Sequence, residues 1–373
     1  MRTLRTITAI TVATGVALSF APSASAHGKH HPRPQAPITV LARGLEGPYQ
    51  VSASGRSLIV TEADAGRVVA IDRHGRHRVR TLVSGLGANA AAGAVKVGHR
   101  VYIATGEAGG APDGPPPPPP PYPGSSVLVA SKGRVTQLAD LLKYELAKNP
   151  DGQTQFDPEG NPLDALSNPF SLLAARGHRG GVLVADGGAN DVLRVDRWGR
   201  VSTFFVPPTI NTGACAGRPN NDPASTGCDA VPTGLAYGPR NTIYVSTLTG
   251  EAPGEGRVYV LDARRGTVRK VVSGFTAPTG VAVRPDGTFY VSEALEGAPQ
   301  AEPGPGFDPS TVGRIVKVSP SGKRTYAQVT MPTGLVWKAG TLYSSAWSIA
   351  SFFGAPGTGQ VVAVSDRAFK PAS

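Results

Sequence analysis

One pattern recurs six times along this chain and limits what it can fold into. A proline or small residue opens an apolar strand, a turn follows, then an apolar-aromatic strand, a loop, a strand that begins Gly-Arg-Val or similar, a glycine turn and a last strand. The clearest copy runs Pro278-Thr279-Gly280-Val281-Ala282-Val283, Pro285-Asp286-Gly287, Thr288-Phe289-Tyr290-Val291-Ser292-Glu293, Arg314-Ile315-Val316-Lys317-Val318, Ser321-Gly322 and Arg324-Thr325-Tyr326-Ala327. Others begin at Pro48, near Ala92, and at Pro169, Pro232 and Pro332. The strands alternate with period two, so one copy cannot bury both faces of its sheet, and neighbours must stack.

Radial stacking satisfies that need and leaves only short, protected strand edges. The chain carries a further sign of closure. The last copy supplies three strands before the chain ends, the third at Val361-Val362-Ala363-Val364, and Ile38-Thr39-Val40-Leu41 lies before the first copy begins. A solenoid would not leave complementary fragments at its two ends. The expected fold is therefore all-β: a six-bladed β-propeller over residues 38–366, its last blade closed by the N-terminal strand, with a short tail at 367–373.

Before that domain, Arg2 and Arg5 precede an apolar run at residues 7–20 and the small-residue pattern Ala24-Ser25-Ala26. This reads as a signal peptide over residues 1–26, too short and too interrupted for a membrane span, followed by a His/Pro-rich linker at 27–37. The expectation is a secreted, extracellular monomer with no membrane span. His27, His30 and His31 lie in that linker, where Pro-rich chain offers a metal no packed surround. In an exported chain the only cysteines, Cys215 and Cys228, are expected to form one local disulfide.

The formal charge is +11, and it falls to +9 when Arg2 and Arg5 leave with the signal. With strands lettered A to D from the axis outward, the A–B and C–D turns share one face and carry most of the positive charge, including Arg56, Arg73, Arg76, Arg200, Arg240 and Arg264. The B–C and D–A connections share the other face and are the long ones. They include residues 107–124 with seven consecutive prolines, 142–167, 206–230 and 294–312. These insertions carry acids such as Glu145, Asp151, Asp164, Asp229, Glu296 and Asp308, so the loop face is expected to be acidic and to be the working face. Basic turns with few rings do not suit nucleic acid. The partner expected is a small molecule, an extracellular protein or a cell-wall polymer.

The repeats resemble NHL-type propeller repeats. Tyr144-Glu145, Asn149-Pro150-Asp151-Gly152, Ser167-Asn168-Pro169-Phe170 and Ala185-Asp186-Gly187-Gly188-Ala189-Asn190-Asp191 with Leu193-Arg194-Val195-Asp196 are together similar to the ScyD/ScyE family of secreted propellers. That resemblance implies the six-bladed fold and carries no established enzymatic activity.

In a propeller, the starts of the innermost strands and the ends of the second strands surround the axial channel. The first set reads Tyr49, Gly93, Phe170, Thr233, Thr279 and Thr333, and the second Glu62, Gly106, Asp186, Thr247, Glu293 and Trp347. A ligand-binding mouth is expected from these residues together with Glu145, Asn149, Asp151 and Asn168. A divalent cation such as calcium is one candidate occupant there. Apolar residues at Leu138, Leu141, Leu142 and Leu146 predict a helix that holds Glu145 over the mouth.

The function expected is an extracellular binding or scaffold module. The alternative is a divalent-metal-dependent hydrolase of the lactonase type, or a lyase. Glu46-Gly47-Pro48 and Arg218-Pro219-Asn220-Asn221-Asp222 echo lactonase patterns, but the later ligand positions hold Thr233 and Thr247. Neither His99 nor His178 falls at the mouth. No G-x-S-x-G or H-E-x-x-H is present, so neither a serine nucleophile nor a zinc-protease centre is indicated.

Overall fold

The computed structural model describes residues 36–372, apart from 75–77, 88–90, 108–120, 178–179 and 300–305. The expected signal peptide, the linker histidines, most of the proline run, Arg76 and His178 lie outside the described residues. Among these residues the chain forms six four-stranded antiparallel sheets arranged as a β-propeller.

Blade 1 comprises Pro48–Ser54, Ser57–Glu62, Arg67–Asp72 and Val79–Val83; blade 2 comprises Ala91–Val97, Arg100–Thr105, Ser126–Ser131 and Arg134–Asp140. Blade 3 comprises Pro169–Ala174, Val182–Asp186, Asp191–Val195 and Val201–Phe205; blade 4 comprises Pro232–Gly238, Thr242–Thr247, Gly256–Asp262 and Val268–Phe275. Blade 5 comprises Pro278–Val283, Phe289–Glu293, Arg314–Val318 and Arg324–Ala327. Blade 6 takes Leu335–Lys338, Thr341–Ala346 and Gly359–Val364 from the C-terminal end and Ile38–Leu45 from the N-terminal end. The closing strand pairs from Ile38 opposite Val364 to Leu45 opposite Gly359, with irregularities between Val40 and Ala42 and between Arg43 and Leu45. The ring is closed as the sequence predicts.

Burial along the strands explains their composition. Strand B of each blade is covered by sheets on both sides, so Leu58-Ile59-Val60 and Tyr290-Val291 are buried on both faces and read as continuous apolar runs. The outermost strands are covered on one side at most, and Val79 and Val268 stand exposed. The core accordingly lies between blades. Ile59 and Val68 of blade 1 pack with Ala94 and Ile103 of blade 2, and Leu58 and Ile71 pack with Tyr343 and Val361 of blade 6.

The helix starts later than its apolar spacing suggests. Leu138 belongs to the strand Arg134–Asp140, which is held by its ladder with Ser126–Ser131, and helix α1 occupies Leu141–Lys148. The Asp140 side chain accepts from Lys143 N and caps it, a contribution of about 1 kcal/mol. Asn149 ends it in the left-handed conformation at φ 42°. Residues of the short C-terminal tail lie against blade 5: Lys370 exchanges backbone hydrogen bonds with Tyr326, and Phe369 packs on Tyr290.

Candidate functional site

The innermost strands meet the axis as predicted, and they close it. Thr233 Oγ1 donates to Pro278 O at 2.8 Å, Thr279 Oγ1 to Pro332 O at 3.0 Å, and Thr333 Oγ1 to Tyr49 O at 2.7 Å. Each hydroxyl thus ties one blade to the next. The glycine after each threonine permits the approach: a Cβ at Gly280 would sit 2.2 Å from Thr333 O. Between blades 1 and 3, Gln50 imitates a backbone pair, giving Nε2 to Leu172 O at 2.7 Å and accepting from Leu172 N at 3.2 Å. It crosses over Gly93 of blade 2, where a Cβ would meet Gln50 Oε1 at 2.6 Å.

Tyr49 and Phe170 face each other across the channel with ring centroids 4.8 Å apart. The remaining axial cavity, about 20 Å³, has room for one water. Burial, and secondarily Glu251, raises the Tyr49 phenol well above its ordinary range. The three threonines expected as ligand groups therefore spend their hydroxyl protons on carbonyls of the next blade. The hydroxyls of Thr233 and Thr247 are also engaged, the latter with Thr249 Oγ1 at 3.2 Å, so the lactonase ligand set is not assembled here.

The strand-end acids expected at the mouth do not line this cavity either. Glu62 is fully buried, accepts from Glu46 N at 2.9 Å and pairs with Arg67 at 2.6 Å. Glu293 repeats the arrangement with Thr276 N at 2.7 Å and Arg314 at 2.5 Å. Each acid clamps the chain that leads into its own blade's innermost strand. Burial raises the Glu293 carboxyl, opposed by the Thr276 amide and by Arg314. Asp186, one methylene shorter, clamps the corresponding segment through Asn168 N at 2.7 Å and Ser167 Oγ at 2.7 Å. Trp347 turns away from the axis into an apolar cluster with Val312, Met331 and Ala350.

Polar groups gather instead on the loop face of blade 3. The insertion at 141–168 carries α1 and drapes over the Gly187–Asn190 turn, where Gly188 lies so near Ala165 O that a Cβ would stand 2.6 Å from it. Asn190 Nδ2 reaches Asp151 Oδ2 at 3.3 Å, and Asn149 Nδ2 donates to Gln153 O at 2.8 Å. Glu145, on the inner side of α1, is buried and accepts from Gln155 Nε2 at 2.8 Å. Burial pushes its carboxyl up to about 7, with Gln155 opposing and Asp151 and Asp186 adding to the rise. Burial also raises Asp151 and Asp186.

Asp191 joins these acids, although it was not among the residues expected to bind ligand. It is fully buried, and burial followed by Asp186, Glu145 and Asp151 pushes its carboxyl up to about 10. Its signal was present in the repeat: the strand that begins Gly-Arg-Val elsewhere begins Asn190-Asp191-Val192 here. Among the described residues, no three acidic, histidine or cysteine side chains converge as a metal cluster.

Beside this corner lies a cleft of about 150 Å³, lined by Asp151, Gln153, Asn190, Pro207, Thr209 and Asp229 among others. Gln153 Nε2 and Asn220 Nδ2 both donate to Asp229 Oδ1, at 2.7 and 2.9 Å. The Cys215–Cys228 disulfide, with Cα atoms 5.4 Å apart, holds the loop that supplies Asn220 and Asp229. No described helix is long and apolar enough to cross a membrane.

Comparison with known proteins adds the fold and stops there. No protein-family model and no curated protein matches the chain. Among solved structures it is similar to the calcium-binding protein regucalcin from Agrobacterium tumefaciens, at 11% identity and TM-score 0.50 over 89% of this chain and 94% of that one. It is also similar to virginiamycin B lyase from Staphylococcus aureus, at 10% identity and TM-score 0.47 over 90% and 88% of the two chains. A chain of a nidogen/laminin complex matches at 13% identity and TM-score 0.48, over 79% and 86%. Identities this low show a shared propeller fold alone.

Proposed function

We propose that this chain is an exported propeller of the ScyD/ScyE type that acts as an extracellular binding or scaffold module, with its ligand seated in the loop-face cleft beside blade 3. The observation that carries this reading is the contrast between the two candidate sites. The axis is stitched shut by hydroxyls, Gln50 and the Tyr49–Phe170 pair, whereas the loops of blades 2, 3 and 4 build a polar cleft on a rigid frame. Loops held by a scaffold are the usual seat of binding. Several of the residues that carry the family resemblance lie beside this cleft, among them Glu145, Asp151, Asn190 and Asp191, while Phe170 belongs to the axis.

The cleft's lining supports one class of ligand chemistry. Asp151 and Asp229 accept hydrogen bonds, and a volume of about 150 Å³ suits one amine- or hydroxyl-bearing group, such as one unit of a cell-wall polymer. Export rests on the leader's charge and apolar pattern and agrees with a formed disulfide.

Calorimetric titration of the full chain with amino sugars, polyamines and polyols tests this reading. It expects saturable binding to one of these classes, lost in Asp229→Asn and kept in Phe170→Leu. Binding that follows Phe170 instead would move the site to the axis, and no saturable binding to any class would defeat the cleft reading.

A further inference from the structure

Blade 3 departs from its siblings at one register position, and the departure is one of charge. The residue of strand C directly opposite the last residue of strand B is Arg67 in blade 1, Arg257 in blade 4 and Arg314 in blade 5. Where that last residue is an acid, the arginine neutralises it, as in the Glu62–Arg67 and Glu293–Arg314 pairs. Blade 3 also ends strand B in an acid, Asp186, yet the residue opposite is Asp191. Like charges directly opposed across a sheet are destabilising, and burial without a counter-charge makes the arrangement worse.

The hydrogen bonding there is incomplete in a specific way. Neither carboxylate oxygen of the fully buried Asp191 has a partner. The same holds for Glu145 Oε2 and Asn149 Oδ1. Glu145 is 4% exposed, and Asn149 caps the C-terminus of α1 with its backbone N–H on Glu145 O, so the two lie together at that end of the helix. Each of these four atoms is a carboxylate or carboxamide oxygen. Buried polar atoms in folded proteins are nearly always satisfied, and a group of acceptors facing uncompensated carboxylates calls for a positive charge. A cavity of about 30 Å³, lined by Glu145, Asp151, Gln155 and Asn190 among others, opens at the same corner.

We propose that a calcium ion binds in this corner, held by the carboxylates of Asp191 and Glu145 and the side-chain oxygen of Asn149, and supplies the charge that arginine supplies in blades 1 and 5. The donors are all oxygen, with no histidine or cysteine, which selects a hard cation. Two carboxylates, one carboxamide, backbone carbonyls and water make a mixed shell that calcium accepts, whereas magnesium demands a tighter octahedron. Such a shell requires no third acidic ligand, which agrees with the lack of a three-acid cluster among the described residues. The ion would fasten α1 to blade 3. It stands whether or not a ligand occupies the neighbouring cleft, because its test reads the ion alone.

The test uses the full mature chain, stripped with chelator and then titrated with calcium chloride by calorimetry, with thermal unfolding in parallel. Wild type should bind one calcium per chain and raise its Tm by about 5 °C at saturation. Asp191→Asn should bind at least tenfold more weakly, while its chelated form unfolds no lower than chelated wild type, because a neutral amide replaces a buried, unpartnered carboxyl that must take up a proton to fold. Glu145→Gln should show the same loss of affinity and serves in its place should Asp191→Asn fail to fold. Glu62→Gln, which alters a paired acid elsewhere, should retain wild-type affinity. No saturable binding by wild type at millimolar calcium would overturn the proposal. So would undiminished affinity in whichever of the two blade 3 variants folds.

Discussion

Asp186 and Asp191 stand directly opposite each other where strands B and C of blade 3 leave the sheet, the register at which Glu62 meets Arg67 and Glu293 meets Arg314. Asp186 is satisfied by Ser167, Asn168 and Ala189, whereas Asp191 has no hydrogen-bond partner. A repeat built six times over thus supplies its own control. Sister blades show what the position does when its only task is structural, and blade 3 shows something else.

The perturbed carboxyls give the metal-free protein a pH dependence of definite sign. Glu145 and Asp191 are raised to about 7 and about 10, above their ordinary unfolded values, so the folded state holds protons that the unfolded state has released. Stability is then greatest below the ordinary carboxylate range and falls as pH rises toward 7 and on toward 10. Urea denaturation in chelator from pH 5 to 9 should show a falling midpoint. In Asp191→Asn the decline above pH 7 should flatten.

Glu62 acts as a clamp in this account. Glu62→Gln removes the charge from the Arg67 pair and weakens the acceptor for Glu46 N. Arg67 keeps 36% of its side-chain surface exposed and can be rehydrated, so the loss should be about 1–2 kcal/mol. Chemical denaturation measures it, and binding in the loop-face cleft should be unaffected.

Thr279→Val tests the belt of hydroxyls around the axis. The substitution keeps the shape, but it deprives the carbonyl of Pro332 of its donor and Ser292 of its neighbour. A cost of about 1–2 kcal/mol is expected, without loss of the cleft. A neutral result would mean that the blades are joined by apolar packing alone.

The disulfide should matter locally. Replacing Cys215 and Cys228 together by serine releases a loop whose ends lie 13 residues apart, a cost of about 3 kcal/mol in the chain-entropy view. Hydrogen exchange should report the change chiefly over residues 206–231, which supply Asp229 and Asn220 to the cleft, while the inner strands of blades 5 and 6 keep their protection.

The architecture was legible because it rests on period-two strands and on fragments that complete each other, and both are properties of the chain alone. The inner-strand positions of Tyr49, Phe170, Thr233, Thr279 and Thr333 could be read for the same reason. Their roles could not: a threonine that opens a strand looks the same whether its hydroxyl faces a ligand or the carbonyl of the next blade. Trp347 and Leu138 were misplaced because an aromatic after strand B and an apolar residue before a helix are decided by the loop packing and the strand ladder that capture them. Asp191 is the instructive omission. The Gly-Arg-Val motif was recognised, and setting the blades side by side would have shown an acid where arginine recurs.

The most direct test is a crystal structure grown with calcium, using anomalous scattering to locate the ion. The account predicts one peak in the corner of blade 3, with oxygens of Asp191, Glu145 and Asn149 about 2.3–2.6 Å away. No peak there, with Asp191 protonated and hydrogen-bonded to Glu145, would contradict it.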